Sequence, residues 1–288
     1  MKKIILFLAI IISNNLYSQS LEEKVAIRAC ECLKNKTKVD GDIYQNCITK
    51  SMTDVVLTDS DTKNREVINT VDGIQSLFKK VYTIMPQTCE NEKQKEINIK
   101  KNQFYSYSKN EKAKSSYIIS KDFMRDEEYK LAIEGLEMAI KSDKNFVLAY
   151  DDIALCYRQL NDFDNAIKYY KKSLEIYPEG DFALMNIGVI YSKKSDFKTA
   201  IEYYEKLIRF HPKNAEGFFG AGKNYFLLND YEKALNNIFI AHRIYSEDKS
   251  EYVKDTEQIM GMMYQKLKSE NKEEVFNKIA EKNNIKIN

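Results

Sequence analysis

The sequence predicts an all-α protein: an α-solenoid of about four helical hairpins with a C-terminal capping helix, preceded by a small cysteine-containing helical domain. Three observations predict it. Only nine Gly and three Pro stand among 288 residues of which 31% are charged, a composition suited to helices joined by short turns rather than to a many-stranded sheet. Two segments, "DFDNAIKYYKKSLEIYP" at 162–178 and "DFKTAIEYYEKLIRFHP" at 196–212, follow one another at an interval of 34 residues. On either side of the turn-like "LNDFD", apolar residues recur at helical spacing, as in Tyr150, Ile153, Ala154, Tyr157 and then Ala166, Ile167, Tyr170, Leu174. With 43% hydrophobic and 12% aromatic residues the chain has ample material for a buried core.

Taken from the start, "MKKIILFLAIIISNNLYSQS" sets Lys2 and Lys3 before an apolar run from Ile4 to Ile12 and then a polar stretch reaching Ser18. This is the layout of a secretory signal peptide over residues 1–18. The nine apolar residues are far too few for the ~30 Å hydrocarbon core of a bilayer. The expectation is an exported protein, periplasmic or secreted, cut near Ser18 or Gln19, without stable membrane insertion; the alternative is an uncleaved anchor. Without residues 1–18, 43 Lys and Arg face 43 Asp and Glu, and no long basic block occurs. That balance argues against a nucleic-acid binder, which needs a basic stripe to displace counterions.

Residues 19–90 are expected to form a small helical domain with helices at 21–34, 42–57 and 63–85. Val25, Ala29, Leu33, Ile48, Met52, Ile74, Leu77, Phe78 and Val81 recur there at helical spacing. Four of the five cysteines, Cys30, Cys32, Cys47 and Cys89, fall in or next to it. In an oxidising compartment they predict two disulfides. Cys30 and Cys32 diverge around one helix, so each is expected to bond to Cys47 or Cys89, with the pairing open. The rival, a four-thiolate zinc site, is disfavoured by a C-x-C spacing tighter than zinc sites use, and no metal or other cofactor is expected. "ACEC" could be redox-active, yet it is neither C-x-x-C nor set in an α/β pattern.

Residues 91–112 are polar and charged, a linker or connecting helix. From 113 to 246 a period of 34 aligns four units, 113–146, 147–180, 181–214 and 215–248. Ala132, Ala166, Ala200 and Ala234 share one column, and three places earlier stand Tyr129, Phe163, Phe197 and Tyr231. Nine places before the Ala stand Phe123, Tyr157, Tyr191 and Tyr225, and twelve before it Ser120, Ala154, Gly188 and Gly222. Small residues let two helices of a hairpin approach, while aromatics fill the space between hairpins. Pro178 and Pro212 end second helices. Cys156, on a first helix, reads as a packed free thiol. His211 and His242 are too far apart in register to share a metal or serve a nucleophile. From Tyr252 through Thr256, Ile259, Met263 and Leu267 runs a single apolar stripe, as a cap over the last hairpin requires; residues 247–288 are assigned to capping helices.

The pattern of aromatic, small, aromatic, D-[YF]-x-x-A and a closing Pro, seen in "YDDIALCYRQLNDFDNAIKYYKKSLEIYP" and "LMNIGVIYSKKSDFKTAIEYYEKLIRFHP", resembles the tetratricopeptide repeat family. "FFGAGKNYFLLNDYEKALNNIFIAHRIYS" lacks the Pro, and "SYIISKDFMRDEEYKLAIEGLEMAIKSDK" lacks both the opening aromatic and the Pro. The resemblance implies that first helices line a concave groove. Its side chains would be Lys114, Tyr117, Lys121, Met124, Arg125, Leu148, Asp151, Leu155, Arg158, Gln159, Phe182, Met185, Val189, Ser192, Lys193, Glu216, Phe219, Lys223, Phe226 and Leu227. Six of these are basic and two acidic, although 113–246 as a whole carries 19 Lys and Arg against 20 Asp and Glu. A basic groove floored by aromatics implies capture of an extended peptide bearing acidic residues or a free carboxylate. Some arrays of the family clamp a terminal Asp through Lys and Asn; here Tyr117, Lys121 and Asp152 occupy those places.

The function expected is therefore a non-catalytic scaffold that binds a protein or peptide of the cell envelope. No nucleophile–base pair, metal spacing or phosphate-binding glycine loop suggests an enzyme. The alternative is an enzyme or glycan-binding protein whose cysteine-bearing N-terminal domain is the active part, with the array presenting substrate.

Overall fold

The computed structural model describes residues 19–34, 36 and 40–285; the expected signal peptide lies outside them. The described residues form fourteen α-helices, one 3-10 turn and no strand, and they divide into two units after Glu96.

In the first unit, α1 (Leu21–Lys34) and α2 (Gly41–Thr58) pack against each other, and Val25, Ala26 and Ala29 meet Ile48, Met52 and Val56 in one core. Asp40 starts α2 by accepting a hydrogen bond from the Ile43 amide at 2.9 Å, which satisfies one of the first-turn donors of the helix. The helix expected at 63–85 is broken instead. A short α3 (Thr62–Glu66), capped by Asp61, runs into a 3-10 turn at Val67–Asn69, and Thr70 is extended. The long α4 (Val71–Phe104) then begins, and Gly73 permits the break, because a Cβ there would stand 2.1 Å from the Val67 carbonyl oxygen. Pro86 lies inside α4, where its ring removes one helical N–H. Leu77, Val81 and Met85 are buried in this core, whereas Ile74, expected among them, is exposed. Disulfides tie Cys30 to Cys89 and Cys32 to Cys47, resolving the open pairing.

The second unit stacks helical hairpins: α5 (Glu111–Arg125) with α6 (Tyr129–Ser142), α7 (Val147–Gln159) with α8 (Phe163–Ile176), α9 (Asp181–Lys193) with α10 (Phe197–Phe210), and α11 (Ala215–Leu227) with α12 (Tyr231–Glu247). Each turn uses one residue in the left-handed region, Glu127, Asn161, Ser195 or Asn229, at an interval of 34. The next residue opens the second helix. Asp162, Asp196 and Asp230 accept from the amides of Asn165, Thr199 and Lys233, whereas Glu128 makes no such bond. The conserved spacing of these turns within the chain thus has a local cause: a residue that tolerates positive φ, followed by a carboxylate short enough to cap.

Ala132, Ala166, Ala200 and Ala234 are fully buried, as are Ser120 and Ala154 opposite them. Tyr204 shows how aromatics fill the stack. A Cβ at Gly220 would come within 2.2 Å of its ring, so α11 reaches α10 only because that position has no side chain. At the end of the array, α13 (Val253–Ser269) and α14 (Glu273–Lys282) lay Met263, Leu267, Phe276 and Ile279 over Leu235, Ile238 and Phe239 of α12. A closing layer of this kind is what a stack of hairpins needs to shield its last apolar face. Cys156 is fully buried, and burial pushes its thiol up to about 12, in keeping with a packed rather than reactive group.

Candidate functional site

The first helices of the hairpins form a continuous wall: α7 touches α9, α9 touches α11, and α11 touches α13. All the side chains expected in the groove stand on these helices or on α5, but they fall into two groups with different surroundings.

The first group surrounds a cavity of about 400 Å³. Tyr117, Lys121, Leu148, Asp151, Phe182 and Met185, all expected in the groove, line it. Lys101, Tyr105, Asp152, Asp181 and Asn214 complete the wall. Lys101 sits in the last turn of α4 and Tyr105 just beyond it, in the polar segment expected to be a linker or connecting helix. The signal there was the aromatic run "FYSY" within an otherwise charged stretch. Phe104 stacks on Tyr177 at 4.5 Å between ring centroids, Tyr105 meets the same ring edge-on at 5.8 Å, and Tyr107 meets Tyr117 at 5.8 Å.

The charges in the cavity are mostly paired. Lys121 Nζ binds Asp152 Oδ2 at 2.8 Å, and Lys101 Nζ binds Asp181 Oδ2 at 2.6 Å. Asp151 differs. It is 2% exposed, and neither carboxylate oxygen has a hydrogen-bond partner within the described residues. Burial raises its carboxyl to about 8; the nearby Ser173 and Tyr105 hydroxyls work in the opposite direction without completing a bond, and Asp152 and Asp181 push it further up. Burial likewise holds the Tyr105 and Tyr117 phenols well above their ordinary range. Asp151, expected to project to a ligand, is thus the floor of the cavity rather than its rim. Its place on an inner helix was legible; its burial depends on α4 and the residues after it.

The second group occupies the wall further along. Arg158 Nη1 donates to Asn186 Oδ1 at 2.7 Å, linking α7 to α9, and Ser192 Oγ donates to Asn224 Oδ1 at 3.0 Å, linking α9 to α11. Lys193 lies over the Phe163 ring at 6.0 Å and Lys223 over Phe219 at 5.2 Å, and neither has a carboxylate partner among the described residues. Leu155, Val189, Phe219 and Phe226, on the same first helices, are partly exposed. On α5 the cations are committed locally: Arg125 pairs with Asp122 and Lys114 approaches Glu111 at 3.9 Å.

His211 is buried and its Nε2 faces the Glu179 carbonyl, while His242 Nδ1 lies 2.8 Å from Thr256 Oγ1. Each ring has a local packing partner. Among the described residues no group of three or more His, Cys, Asp or Glu is placed to hold a metal ion, and no helix is long and apolar enough to cross a membrane.

Residues 149–213 match the model of the tetratricopeptide repeat family, covering the second and third hairpins. Tetratricopeptide repeats thus occupy this part of the chain. Solved structures of MamA share the fold. MamA 41-end from Desulfovibrio magneticus RS-1 is 20% identical with a TM-score of 0.50, over 62% of this chain and 95% of that one. A MamA RS-1 ArsTM double mutant is 22% identical with a TM-score of 0.50, over 61% and 96%. No curated protein matches the sequence. The repeats support a protein–protein interaction scaffold, and the two disulfides fit an oxidising compartment.

Proposed function

From a chain that carries tetratricopeptide repeats, we propose an exported, non-catalytic scaffold that holds an extended peptide segment of a cell-envelope protein along the wall of first helices. The observation that carries this reading is the second group of wall residues. Leu155, Val189, Phe219 and Phe226 offer partly exposed apolar contacts, and Lys193 and Lys223 stand on the same first helices with no carboxylate partner among the described residues. An extended chain laid there gains apolar burial along its length and charge pairing at intervals, so acidic residues or a terminal carboxylate suit it. The expected contributions of Lys121 and Arg125 are weaker, since each already faces an aspartate.

Panning a random dodecamer library on the protein from residue 19 onward tests the proposal. Enriched peptides should carry two or more acidic residues and should lose at least tenfold in affinity for the Lys193→Glu, Lys223→Glu double variant. Equal affinity for that variant, at unchanged thermal unfolding, would remove the acidic-peptide reading.

A further inference from the structure

We infer that the cavity between α5, α7 and α9 receives a cationic side chain, lysine or arginine, of the bound peptide. This rests on the peptide-groove reading and adds a chemical specificity to one end of it.

The charge count inside the cavity makes the argument. Three aspartates, Asp151, Asp152 and Asp181, meet two lysines, and each lysine is already paired at under 3 Å with one of the other two aspartates. Asp151 is left over. Its carboxyl is enclosed and neither oxygen is hydrogen-bonded among the described residues, so it keeps its proton until an entering cation favours the charged form. A buried carboxyl of this kind is costly unless a counter-charge arrives.

The remaining wall suits a cation on an aliphatic stem. Leu148 and Met185 line it with apolar surface for methylenes, and Tyr105, Tyr117 and Phe182 add aromatic rings, which attract an ammonium or guanidinium held over a face. Lys121 already lies over the Tyr117 ring, at 5.7 Å. An anionic ligand would need Lys101 or Lys121 to leave its aspartate, and would then face that freed carboxylate beside the buried Asp151 carboxyl.

The test uses fluorescein-labelled Ac-Ala-Leu-Lys-Leu-Ala peptides titrated by fluorescence polarisation, with the central residue Lys, Arg, acetyl-lysine or Glu. Acetyl-lysine keeps the stem and removes the charge. The Lys and Arg forms should bind at least tenfold tighter than the acetyl-lysine form. Asp151→Asn should abolish that preference while leaving the circular dichroism spectrum intact. Lys121→Met, which leaves Asp152 without its cation, should widen the preference at least threefold. Equal binding of Lys and acetyl-lysine peptides, tighter binding of the Glu peptide, or retention of the preference in a folded Asp151→Asn variant would overturn the inference. If this happens while panned dodecamers still bind and still depend on Lys193 and Lys223, only the cavity assignment falls. If no dodecamer binds either, the peptide-groove reading falls with it.

Discussion

Lys121 of α5 reaches across to Asp152 of α7 at 2.8 Å, with the lysine side chain 42% exposed and the aspartate side chain 11% exposed. The pair joins two consecutive hairpins. Removing the lysine strands the more enclosed partner, whereas removing both leaves little unpaired. A double-mutant cycle of Lys121→Met and Asp152→Asn should therefore show a favourable coupling of about 1 kcal/mol, the upper end for partly exposed pairs. Chemical denaturation measures it, and additive effects would show that the contact contributes nothing net.

The first turn is the weak member of its column. Glu127 holds a φ of 60° where later repeats use Asn161, Ser195 and Asn229, and Glu128 caps nothing where later repeats use Asp. Substituting Glu127→Asn and Glu128→Asp should stabilise the first hairpin by about 1 kcal/mol, because Asn tolerates the left-handed region and Asp reaches the first-turn amide. Raised protection of α5 and α6 in hydrogen exchange is the expected readout; unchanged protection would refute the turn argument.

Opening the disulfides should affect one unit selectively. Cys32–Cys47 closes a loop of 15 residues and Cys30–Cys89 one of 59. On the chain-entropy account these contribute about 3 and about 4 kcal/mol. Reduction should then lower the unfolding temperature of residues 21–96 while leaving the repeats folded. Thiol titration without reductant should find no reactive group in the native protein and one, Cys156, after unfolding, since Cys156 is fully buried.

Asp151 predicts a specific pH dependence. Its carboxyl titrates near 8 in the folded protein against an ordinary value of 3.8, raised by burial and by Asp152 and Asp181, with Ser173 and Tyr105 opposing. Between those values the folded state binds a proton that the unfolded state has lost, so stability is fully present below about 4 and is lost as pH rises to about 8. Asp151→Asn removes the titration. The variant should be more stable than wild type at pH 9, by an amount on the order of a few kcal/mol, with the difference shrinking toward pH 4. Parallel unfolding curves for the two proteins across this range would contradict it.

The hairpins were legible because each rule is written four times: a small residue at Ser120, Ala154, Gly188 and Gly222 and an alanine facing it recur every 34 places. What was not legible depends on partners distant in sequence. Lys121 reads as a free groove cation until Asp152, 31 residues away, is placed beside it. Residues 91–104, read as a linker or a connecting helix, continue α4 as far as Phe104; their charge, in exposed pairs such as Lys95 with Glu92, left that choice open in the sequence. The break at 67–70 was missed for a related reason: apolar residues at helical spacing run through it, and only the close approach of Gly73 to Val67 marks the turn.

A peptide held along the first helices lies within reach of α9 and away from α10. Placing a photoreactive side chain at Met185, on α9, should crosslink a panned dodecamer in high yield, while the same group at Lys206, on α10, should not. Efficient capture at Lys206 with none at Met185 would contradict it.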